Sequence, residues 1–553
     1  MFVRIVKSKT KQGLTEYAQL CHNYWDPKAK KSKTRVIESL GRADDLDVKG
    51  IKRLINSLSR LLPEKEGNEI RGEMEFGEQL EFLGSREIGG SWLLDQLWHK
   101  MGINTVLGKI LRDREYHTPI ERLIFSMVAN RALAPSSKLY LEHWVSEEAY
   151  ISGLEKVESQ QLYRAMDFLL EASEKIQKNV FFKVAHLYNL EVDLLFLDTT
   201  TTYFEIGSED EELRKRGYSK DGRPGSPQVV IGFAVTRDGI PVRCWAWPGN
   251  TSDQEILEQV KKDLNSWRLG RVIMVQDAGF NSEENRRKLQ TAGGHYIIGE
   301  KLRKGSKGKT AEALSGKGKF TKTKDGLEIK DVVIGGDGEA RRRFVVVRNP
   351  EVANYEKERR EDIIKETERR LENLKQLDGE PHKKEACKLR ANPAFGRYIR
   401  QTKTGKLRLN KAKIRQEEFY DGKFLISTSD DTISAEDAVK GYKQLFEVER
   451  VFRDLKHVID IRPVYHRLSQ RIQSHILLCW LTMLLIRIAE TQSGKTWFEI
   501  KKILSPLKVG IFSSSKGKVF QLNPVKPGQQ KLFKILEIEA PKRFLKLPDF
   551  KKS

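Results

Sequence analysis

The sequence contains few cysteines, and their spacing forms no metal-binding or disulfide pattern. The four cysteines lie far apart in the chain and make no Cys-x-x-Cys pair: Cys21, Cys244, Cys387 and Cys479. This spacing argues against a zinc site and against a disulfide framework. The composition therefore fits a reducing, cytoplasmic location.

Long apolar runs are also missing. The most apolar stretch, residues 476–488, is shorter than the roughly 20 residues that cross a bilayer, and it contains Arg487. We therefore predict a buried helix there and no membrane partner. The N-terminal residues contain no long apolar run either, so no secretory signal is expected.

Nucleotide-binding loops are absent as well. Gly308-Lys309-Thr310 resembles the end of a phosphate-binding loop, but the leading glycine of that motif would stand at position 303, which is Arg303. No dinucleotide fingerprint follows a predicted strand. These absences argue against nucleotide hydrolysis and against nicotinamide chemistry.

Positive charge, in contrast, is abundant. The chain of 553 residues has 100 lysines and arginines against 77 acidic residues, a net charge of +23. Such an excess favours a nucleic acid or another anionic surface as partner. A chain of this length is expected to form about three or four domains.

The first part of the chain changes from strands to helices. Short strands are predicted at residues 2–6, 17–22 and 34–40, followed by a helix at 51–62 and a polar linker at 63–83. From about residue 85 to 189 the pattern is helical, with breaks at Gly102, Pro119, Pro135 and Gly153. This predicts a region 1–83 and a helical region 84–189, for which packing and DNA binding remain alternative roles.

Residues 190–300 have the pattern of an α/β domain. Five apolar runs predict strands, and two helical stretches, at residues 253–267 and 282–290, separate the last three of them. The strands are predicted at residues 192–197, 229–235, 242–247, 272–275 and 296–298. This order predicts a mixed sheet with an antiparallel start and a parallel finish. The charged, glycine-rich segment 207–227 is expected to be a mobile loop.

The stretch 301–420 has the pattern of a basic insertion. It holds 33 lysines and arginines against 19 acidic residues, a net charge of +14. The sheet pattern resumes at residues 424–427, and a long helix is predicted from about residue 434. We therefore predict a second part of the α/β domain at 421–490 and a basic C-terminal tail at 491–553, to which the sequence assigns no role.

Three distant segments each carry one acidic residue in a prominent position. Asp198 follows the apolar run 194–197, Asp277 follows the apolar run 272–275, and Glu449 lies on the predicted helix. A carboxylate after a buried strand is held rigidly. Three such groups in one place can bind two divalent cations, the arrangement that cleaves and joins phosphodiesters.

Helical geometry groups Glu449 with three other side chains. At about 100° per residue, Glu449, Arg453 and Lys456 fall within about 40° of Tyr442. Phe452, Leu455 and Ile459 lie on the adjoining side, suited to packing on the sheet, whereas Glu447, Arg450 and Asp454 are expected to face solvent. The alternative is an ordinary amphipathic helix in which Glu449 pairs with Arg453.

Other polar residues nearby are weaker candidates or have alternative roles. Asp193 lies five residues before Asp198 and faces the opposite way in the same strand, and four threonines after Asp198 continue that strand. Asp277 has an alternative role as the cap of a turn. The isolated histidines His295 and His457 receive no role.

The chain resembles a family at these and neighbouring residues. The matching segments are Leu197-Asp198-Thr199-Thr200-Thr201, Gly217-Tyr218-Ser219-Lys220-Asp221-Gly222-Arg223, Gly249-Asn250-Thr251-Ser252-Asp253, Gln276-Asp277-Ala278-Gly279-Phe280 and the helix 442–456. Together they resemble bacterial insertion-sequence transposases of the DDE class, in the group with a tyrosine-arginine-glutamate-lysine helix. Tyr442, Glu449 and Lys456 match that motif, but Leu445 occupies its arginine position, and we hypothesise that Arg453 replaces it.

The resemblance implies a ribonuclease H-like α/β core, residues 190–300 and 421–490, interrupted by the insertion 301–420 and preceded by a helical DNA-end-binding region. It implies catalytic and metal-binding roles for Asp198, Asp277 and Glu449, and DNA contacts by Tyr442, Arg453 and Lys456. The expected cofactor is Mg²⁺, with Mn²⁺ as a substitute. The expected partners are double-stranded transposon ends and target DNA, bound by a homodimer in the bacterial or archaeal cytoplasm at the nucleoid.

Two alternatives belong to other functional classes. The chain is either a transposase, or a catalytically inactive DNA-binding protein derived from one, or a structure-selective nuclease that never joins strands. The intact acidic residues at all three positions argue against the inactive form. A strand-transfer assay with pre-cleaved ends separates the transposase from the nuclease.

Overall fold

The structure is a computed structural model that describes residues 2–546 apart from short segments. The segments outside the description are 11–12, 28–29, 44–47, 64–65, 67–80, 113, 115–117, 191–192, 206, 221, 268–271, 292–293, 303–307, 317, 336–340, 462–463 and 515–516. The chain divides into two compact units. The first comprises Met1–Arg86, Leu507–Pro524 and Pro541–Ser553, and the second comprises Glu87–Pro506 and Val525–Ala540.

The strands are numbered in chain order. They are β1 Phe2–Thr10, β2 Gly13–Asp26, β3 Lys31–Arg42, β4 Glu81–Glu87, β5 Leu194–Tyr203, β6 Gln228–Val235, β7 Pro241–Pro248, β8 Ile273–Gln276, β9 His295–Gly299, β10 Thr321–Lys322, β11 Glu328–Ile334, β12 Arg342–Arg348, β13 Ile399–Gln401, β14 Leu407–Leu409, β15 Lys423–Thr428, β16 Lys508–Ser514, β17 Gly517–Leu522 and β18 Phe544–Lys546.

The α-helices are numbered in the same way. They are α1 Val48–Ser59, α2 Gly89–Lys100, α3 Ile103–Leu111, α4 Ile120–Leu133, α5 Lys138–His143, α6 Ser159–Glu171, α7 Ser173–Tyr188, α8 Asp253–Asn265, α9 Glu283–Gln290, α10 Lys309–Ser315, α11 Pro350–Lys375, α12 Gly379–Ala391, α13 Lys411–Glu418, α14 Ala435–Lys443, α15 Leu445–His457, α16 Ser469–Ser493, α17 Trp497–Leu504 and α18 Pro527–Ile535.

The first unit contains two sheets. One is the antiparallel sheet β1-β2-β3, and the other has the order β18-β17-β16-β4. The three N-terminal strands and helix α1 confirm the predicted elements, although each strand is longer than predicted. Most of the predicted linker lies outside the described residues, and its last residues begin β4.

The helices predicted in region 84–189 are present as α2 to α7. Of these, α2, α4 and α6 pack on α16, which is long and apolar enough to cross a membrane by length and composition, yet 94% of its most apolar window is buried inside the protein. Ser474 of α16 donates a hydrogen bond to the carbonyl of Met166 in α6 (2.7 Å). The prediction of a buried helix is confirmed, in an element that extends well beyond residues 476–488.

The centre of the second unit is a mixed sheet of nine strands. Its order is β10-β11-β12-β15-β9-β8-β5-β6-β7, with parallel pairing of β5 with β8 and of β8 with β9. The antiparallel start and parallel finish predicted for residues 190–300 are therefore confirmed. Helices α8 and α9 cover one face, and the segment between β5 and β6 forms neither helix nor strand in its described residues.

The stretch 301–420 contributes to this sheet. β12 pairs with β15 and β11 pairs with β12, so both extend the central sheet by antiparallel addition. The remainder holds α11, α12, the small hairpin β13-β14 and α13. Residues 491–553, predicted as a basic tail, contain α17, β16, β17, α18 and β18.

The helix predicted from about residue 434 is interrupted. Ser434 caps α14, as its hydroxyl accepts a hydrogen bond from the Asp437 amide, but the helix ends at Lys443 and a new helix begins at Leu445. The two helices meet at Gln444. A single helical phase drawn from Tyr442 to Lys456 is therefore only approximate.

Candidate active site

The register of the central sheet places two of the predicted acids side by side. β5 and β8 are parallel, and Phe196 pairs with Val275. Asp198 and Asp277 each follow their paired residue by two positions, so both lie on the same face of adjacent strands, which are about 4.8 Å apart. The register of the two strands and the alternation of their side chains are thus sufficient to bring the two carboxylates together.

Asp198 lies in the middle of the sheet and is mostly enclosed. Its side chain is 23% exposed, its Oδ1 accepts a hydrogen bond from the Thr199 amide (2.7 Å), and Lys220 Nζ lies 3.6 Å away. Burial raises the pKa of Asp198, Lys220 and the Thr199 amide lower it, and the nearby charge of Asp277 raises it again. Because the pKa of Asp198 is raised overall, the positive charge of Lys220 does not fully offset the burial of this carboxylate.

Asp277 has a second, local role. It directly precedes the short 3₁₀ turn Ala278–Phe280, and its carboxylate accepts a hydrogen bond from the Gly279 amide. The predicted alternative, a turn cap, is therefore real. It does not compete with a metal role, because Asp277 remains exposed and a carboxylate has several lone-pair directions.

Helix α15 carries Glu449 to the same place. Phe452 in α15 is buried and packs edge-on against Phe233 of β6, with ring centroids 5.7 Å apart. Phe233 pairs with Asp198 in the sheet. The packing of one aromatic pair therefore fixes the helix at the level of Asp198, as predicted for the apolar side of this helix.

The three acids line one open pocket of about 420 Å³. Besides the three acids Asp198, Asp277 and Glu449, five described residues line this pocket: Ala278, Phe424, Tyr442, Lys443 and Leu445. Among the residues that the structure describes, no three acidic, histidine or cysteine side chains lie close enough together to hold a single ion. The acids thus share a wall without forming a closed coordination shell.

Tyr442 also lines this pocket. Its ring stacks on Phe424 with centroids 6.0 Å apart, and its hydroxyl approaches Gly299 so closely that a Cβ there would lie 2.1 Å from it. Burial, followed by the charges of Asp277, Glu449 and Glu300, raises the pKa of Tyr442 to about 12. The hydroxyl is therefore held neutral beside the acids, as a hydrogen-bond donor.

The other two predicted DNA contacts lie further along α15. Arg453 is exposed and Lys456 is half-buried, and neither belongs to the lining described for the pocket. Within the described part of the chain, no ion pair joins Glu449 to Arg453, so the pairing expected of an ordinary amphipathic helix does not occupy Glu449.

One prediction for this helix is wrong. Arg450 and Asp454 do not face solvent: Arg450 donates to Glu490 of α16 (3.2 Å) and lies 4.0 Å from Asp454. Glu490 also accepts from Arg487 (3.0 Å). The apolar pattern of α15 could not reveal this face, because its partner, α16, buries charged groups at this level. The side chain of Glu447 lies outside the described residues.

The sequence interpretation missed Lys220 and Asp253. Lys220 donates hydrogen bonds to the carbonyl and hydroxyl oxygens of Thr199. Partial burial raises the pKa of Asp253, Lys220 lowers it, and Asp277 raises it, so Asp253 lies close to both. Both residues lie in segments that match the transposase family in sequence. That match was the only sequence signal for them, and it assigned neither segment a role in the site.

Two glycines explain how these segments meet. A Cβ on Gly217 would lie 2.0 Å from the carbonyl oxygen of Gly249, and a Cβ on Gly249 would lie 2.2 Å from that of Lys215. The Lys220 amide also donates to the Thr201 hydroxyl of β5 (2.9 Å). The backbones touch only because side chains are missing, and this seats Lys220 over the strand of Asp198.

The donor set fits hard divalent cations. The pocket offers carboxylate oxygens and open space, and Asp198 is short of positive charge, whereas no cysteine or histidine belongs to the described lining. Mg²⁺ and Mn²⁺ accept oxygen ligands and retain water, so an open, carboxylate-lined pocket suits them better than Zn²⁺.

Two family models match the chain. A family model described as "Transposase DDE domain" matches residues 196–486, a range that contains all three acids, and one described as "IS1634 family transposase, N-terminal domain" matches residues 3–69. No curated protein matches the chain.

Two solved structures illustrate the similarity. The cryo-EM structure of a piggyBac transposase synaptic complex with hairpin DNA shows 11% sequence identity and a TM-score of 0.35, covering 77% of this chain and 82% of that chain. The Mos1 mariner paired-end complex with Mn shows 14% identity and a TM-score of 0.14, covering 45% and 78%. Because the DDE model spans more than half of the chain, the protein belongs to the DDE transposases, and its N-terminal match identifies it as an insertion-sequence transposase.

Proposed function

We propose that this transposase cleaves DNA at transposon ends, using Mg²⁺ held by Asp198, Asp277 and Glu449, and joins the 3′ ends to target DNA. The observation that carries the proposal is the parallel register of β5 and β8, which sets Asp198 beside Asp277 in the pocket that Glu449 also lines. Two divalent ions at these residues would supply Lewis-acid activation of a water or a 3′-hydroxyl and would stabilise the leaving oxygen of the displacement.

The protein's own groups position the reacting atoms. Asp198, Asp277 and Glu449, which line one pocket, would hold the divalent ions. Tyr442, neutral beside the acids, donates to a phosphate oxygen next to the scissile bond. Arg453 and Lys456 continue along α15, where Lys456 lies about 10 Å beyond Glu449 along the helix axis and reaches a neighbouring phosphate.

The larger architecture supports the same function. The strand order β9-β8-β5-β6-β7, with acids on the two central parallel strands, is that of a ribonuclease H-like core. The helical region 84–189 is proposed to bind transposon ends, and the basic stretch 301–420 to cover DNA near the site. Two transposon ends are held together by a homodimer.

Conservative replacement of the acids tests the proposal. Asp198→Asn, Asp277→Asn and Glu449→Gln should each reduce end cleavage by on the order of a thousandfold or more, since the ions supply most of the charge stabilisation. Binding of end DNA should persist, because each change is nearly isosteric. Cleavage of a labelled end duplex and a gel-shift titration measure the two properties.

The matched control is Asp193→Asn, which directly precedes β5 and forms an ion pair with Arg237. It should cleave at nearly the wild-type rate. If any one of the three acid variants keeps a tenth of wild-type cleavage, that residue does not belong to the metal site. Strand transfer from pre-cleaved ends completes the test: a wild-type protein that cleaves but never joins is a nuclease.

A further inference from the structure

A second pocket lies among the helices of the same unit and has the opposite charge. It has a volume of about 350 Å³, and its lining includes Arg131, Lys138, Tyr163, Tyr465, His466 and His475. The end of α4, the start of α5, α6 and the segment leading into α16 form its walls. We call it the cationic pocket.

Lys138 is the most unusual residue of this pocket. Its side chain is 4% exposed, and among the residues that the structure describes it makes no hydrogen bond or ion pair. A buried ammonium normally has a carboxylate or several oxygen partners, because leaving it without them is costly. Lys138 therefore presents its charge to the pocket.

Arg131 adds a second buried cation. It is 8% exposed, and its guanidinium donates only to carbonyl oxygens, those of Ser136 (3.0 Å), Ile459 (3.4 Å) and Asp460 (3.3 Å). Carbonyl oxygens orient the guanidinium but do not neutralise it. Backbone carbonyls thus orient Arg131, and neither cation has an acidic partner among the described residues.

The histidines do not offset this charge. His475 is 4% exposed with a buried Nδ1 that has no partner, and its ring lies 5.3 Å from that of His466. Burial, and then the charges of Lys138 and Arg131, lower the pKa of His466 to about 3 and that of His475 well below its ordinary value. Burial, followed by Arg131, also lowers the pKa of Lys138 to about 7.

The nearby acids are already accounted for. Asp460 belongs to the lining but is exposed, and it contacts Arg131 through its backbone carbonyl. Asp167 pairs with Arg471 (2.8 Å), whose guanidinium also lies over the ring of Tyr163. Lys138 and Arg131 therefore carry buried positive charge that no acidic side chain among the described residues of this pocket neutralises.

We propose that the cationic pocket binds a phosphate group. The compact ammonium of Lys138 and the fixed guanidinium of Arg131 supply charge, the unpartnered Nδ1 of His475 and the hydroxyl of Tyr163 supply further polar atoms, and Tyr465, 74% exposed, flanks the site. A phosphate, unlike water, offsets the buried charge as well as accepting hydrogen bonds.

The DNA backbone is the favoured source of this phosphate. Val464, next to Tyr465, donates a hydrogen bond to the carbonyl of Tyr203 at the end of β5 (3.3 Å). Tyr203 is five residues after Asp198, roughly 17 Å along the strand. The pocket is thus joined to the strand of the active site, yet too far from it to hold the phosphate that reacts. A free phosphate is the alternative source.

Thermal unfolding of the full chain in EDTA tests the site with inorganic phosphate as the probe. At equal ionic strength, phosphate should raise the Tm of the wild type above its value in chloride by about 2 °C or more. Lys138→Met, which keeps the volume but removes the charge, should have a higher Tm than the wild type in chloride and should lose the phosphate response. Lys531→Met, at an exposed position on α18, is the matched control and should keep it.

DNA binding distinguishes the source. If the phosphate belongs to DNA, Lys138→Met should weaken end binding and reduce the salt slope by about one, unlike Lys531→Met. If the phosphate response is lost while DNA binding is unchanged, the pocket takes free phosphate. The proposal is overturned if Lys138→Met retains the full phosphate-specific rise in Tm, and this outcome is independent of whether the acidic site cleaves DNA.

Discussion

The two pockets of the second unit differ in the sign of their uncompensated charge and in how far that charge is buried. The acidic pocket gathers Asp198, Asp277 and Glu449 at an open surface and places Lys220 against Asp198. The cationic pocket buries Lys138 and Arg131, and no acid among the described residues neutralises them. The first is open, and Lys220 lies in the segment between β5 and β6 rather than in a helix or strand. The second is enclosed, because its two cations are buried, and backbone carbonyls orient one of them, Arg131.

The difference points to two kinds of ligand. An exposed cluster of acids with a lysine nearby suits cations that enter with water and leave again during a reaction. A buried pair of cations suits an anion that is held without reacting. On this account, one pocket performs the chemistry, and the other fixes the position of a backbone some distance away.

Among the predictions that test this comparison, the largest effect on cleavage is expected from Lys220→Met in the acidic pocket. Without the ammonium, Asp198 and Asp277 repel each other and the loop loses its anchor on Thr199, so cleavage at saturating Mg²⁺ should fall on the order of tenfold to a hundredfold. The Mg²⁺ concentration for half-maximal rate should fall, because no ammonium competes with the ion. Lys220→Arg should recover part of the rate. A raised Mg²⁺ requirement would mean that Lys220 helps to hold the metal.

The next largest effect, on DNA binding, is expected from the exposed lysines of α12. Replacement of Lys383, Lys384 and Lys388 by glutamine should weaken DNA binding by about fivefold to tenfold and lower the salt slope, since exposed lysines act through phosphate contacts. Substitution is preferable to deletion, because β11 and β12 of the same stretch belong to the central sheet. Equal losses from Lys531→Gln with Lys534→Gln on α18 would show a nonspecific effect.

Lys456→Ala should have a smaller effect on the acidic pocket itself. It should weaken engagement of the cleaved end by about threefold to tenfold with the Mg²⁺ requirement unchanged, because Lys456 lies beyond the pocket lining. The effect should shrink on nonspecific DNA. If Lys456→Ala lowers only the Tm while cleavage stays at the wild-type rate, Lys456 is an ordinary structural partner on α15.

The smallest predicted effect is the pH dependence of the cationic pocket. The folded pKa of Lys138, about 7, lies below its ordinary value of 10.5, so between these values the unfolded chain binds the additional proton and wild-type stability rises with pH. In the absence of phosphate, Lys138→Met should therefore exceed the wild type in Tm by a margin that is largest below pH 7 and narrows towards pH 10. Thermal scans across this range measure the margin; a margin that widens with pH contradicts the burial of charged Lys138.

The sequence predicted the acidic pocket better than the cationic one for a physical reason. Asp198 and Asp277 stand next to apolar runs that define strands, and parallel pairing of those strands suffices to join them. Arg131 and His475 are more than three hundred residues apart and meet only through helix packing, which leaves no local pattern.

The same limit explains the remaining misses. The break at Gln444 and the ion pair between Arg450 and Glu490 both depend on where α15 meets the sheet and α16. Asp253 occupies the first turn of α8, where an acid is expected for helix stability alone, so its position near Asp277 could not be inferred. Periodicity determined which elements form, and packing determined which charged groups meet.

The central claim, that the acidic pocket is the metal site and the cationic pocket is not, is tested most directly by Mn²⁺ titration with end DNA present, followed by electron paramagnetic resonance. The account predicts that Asp198→Asn loses most specific Mn²⁺ binding, whereas Lys138→Met binds as many ions as the wild type at similar concentrations. Undiminished Mn²⁺ binding by Asp198→Asn would contradict the account.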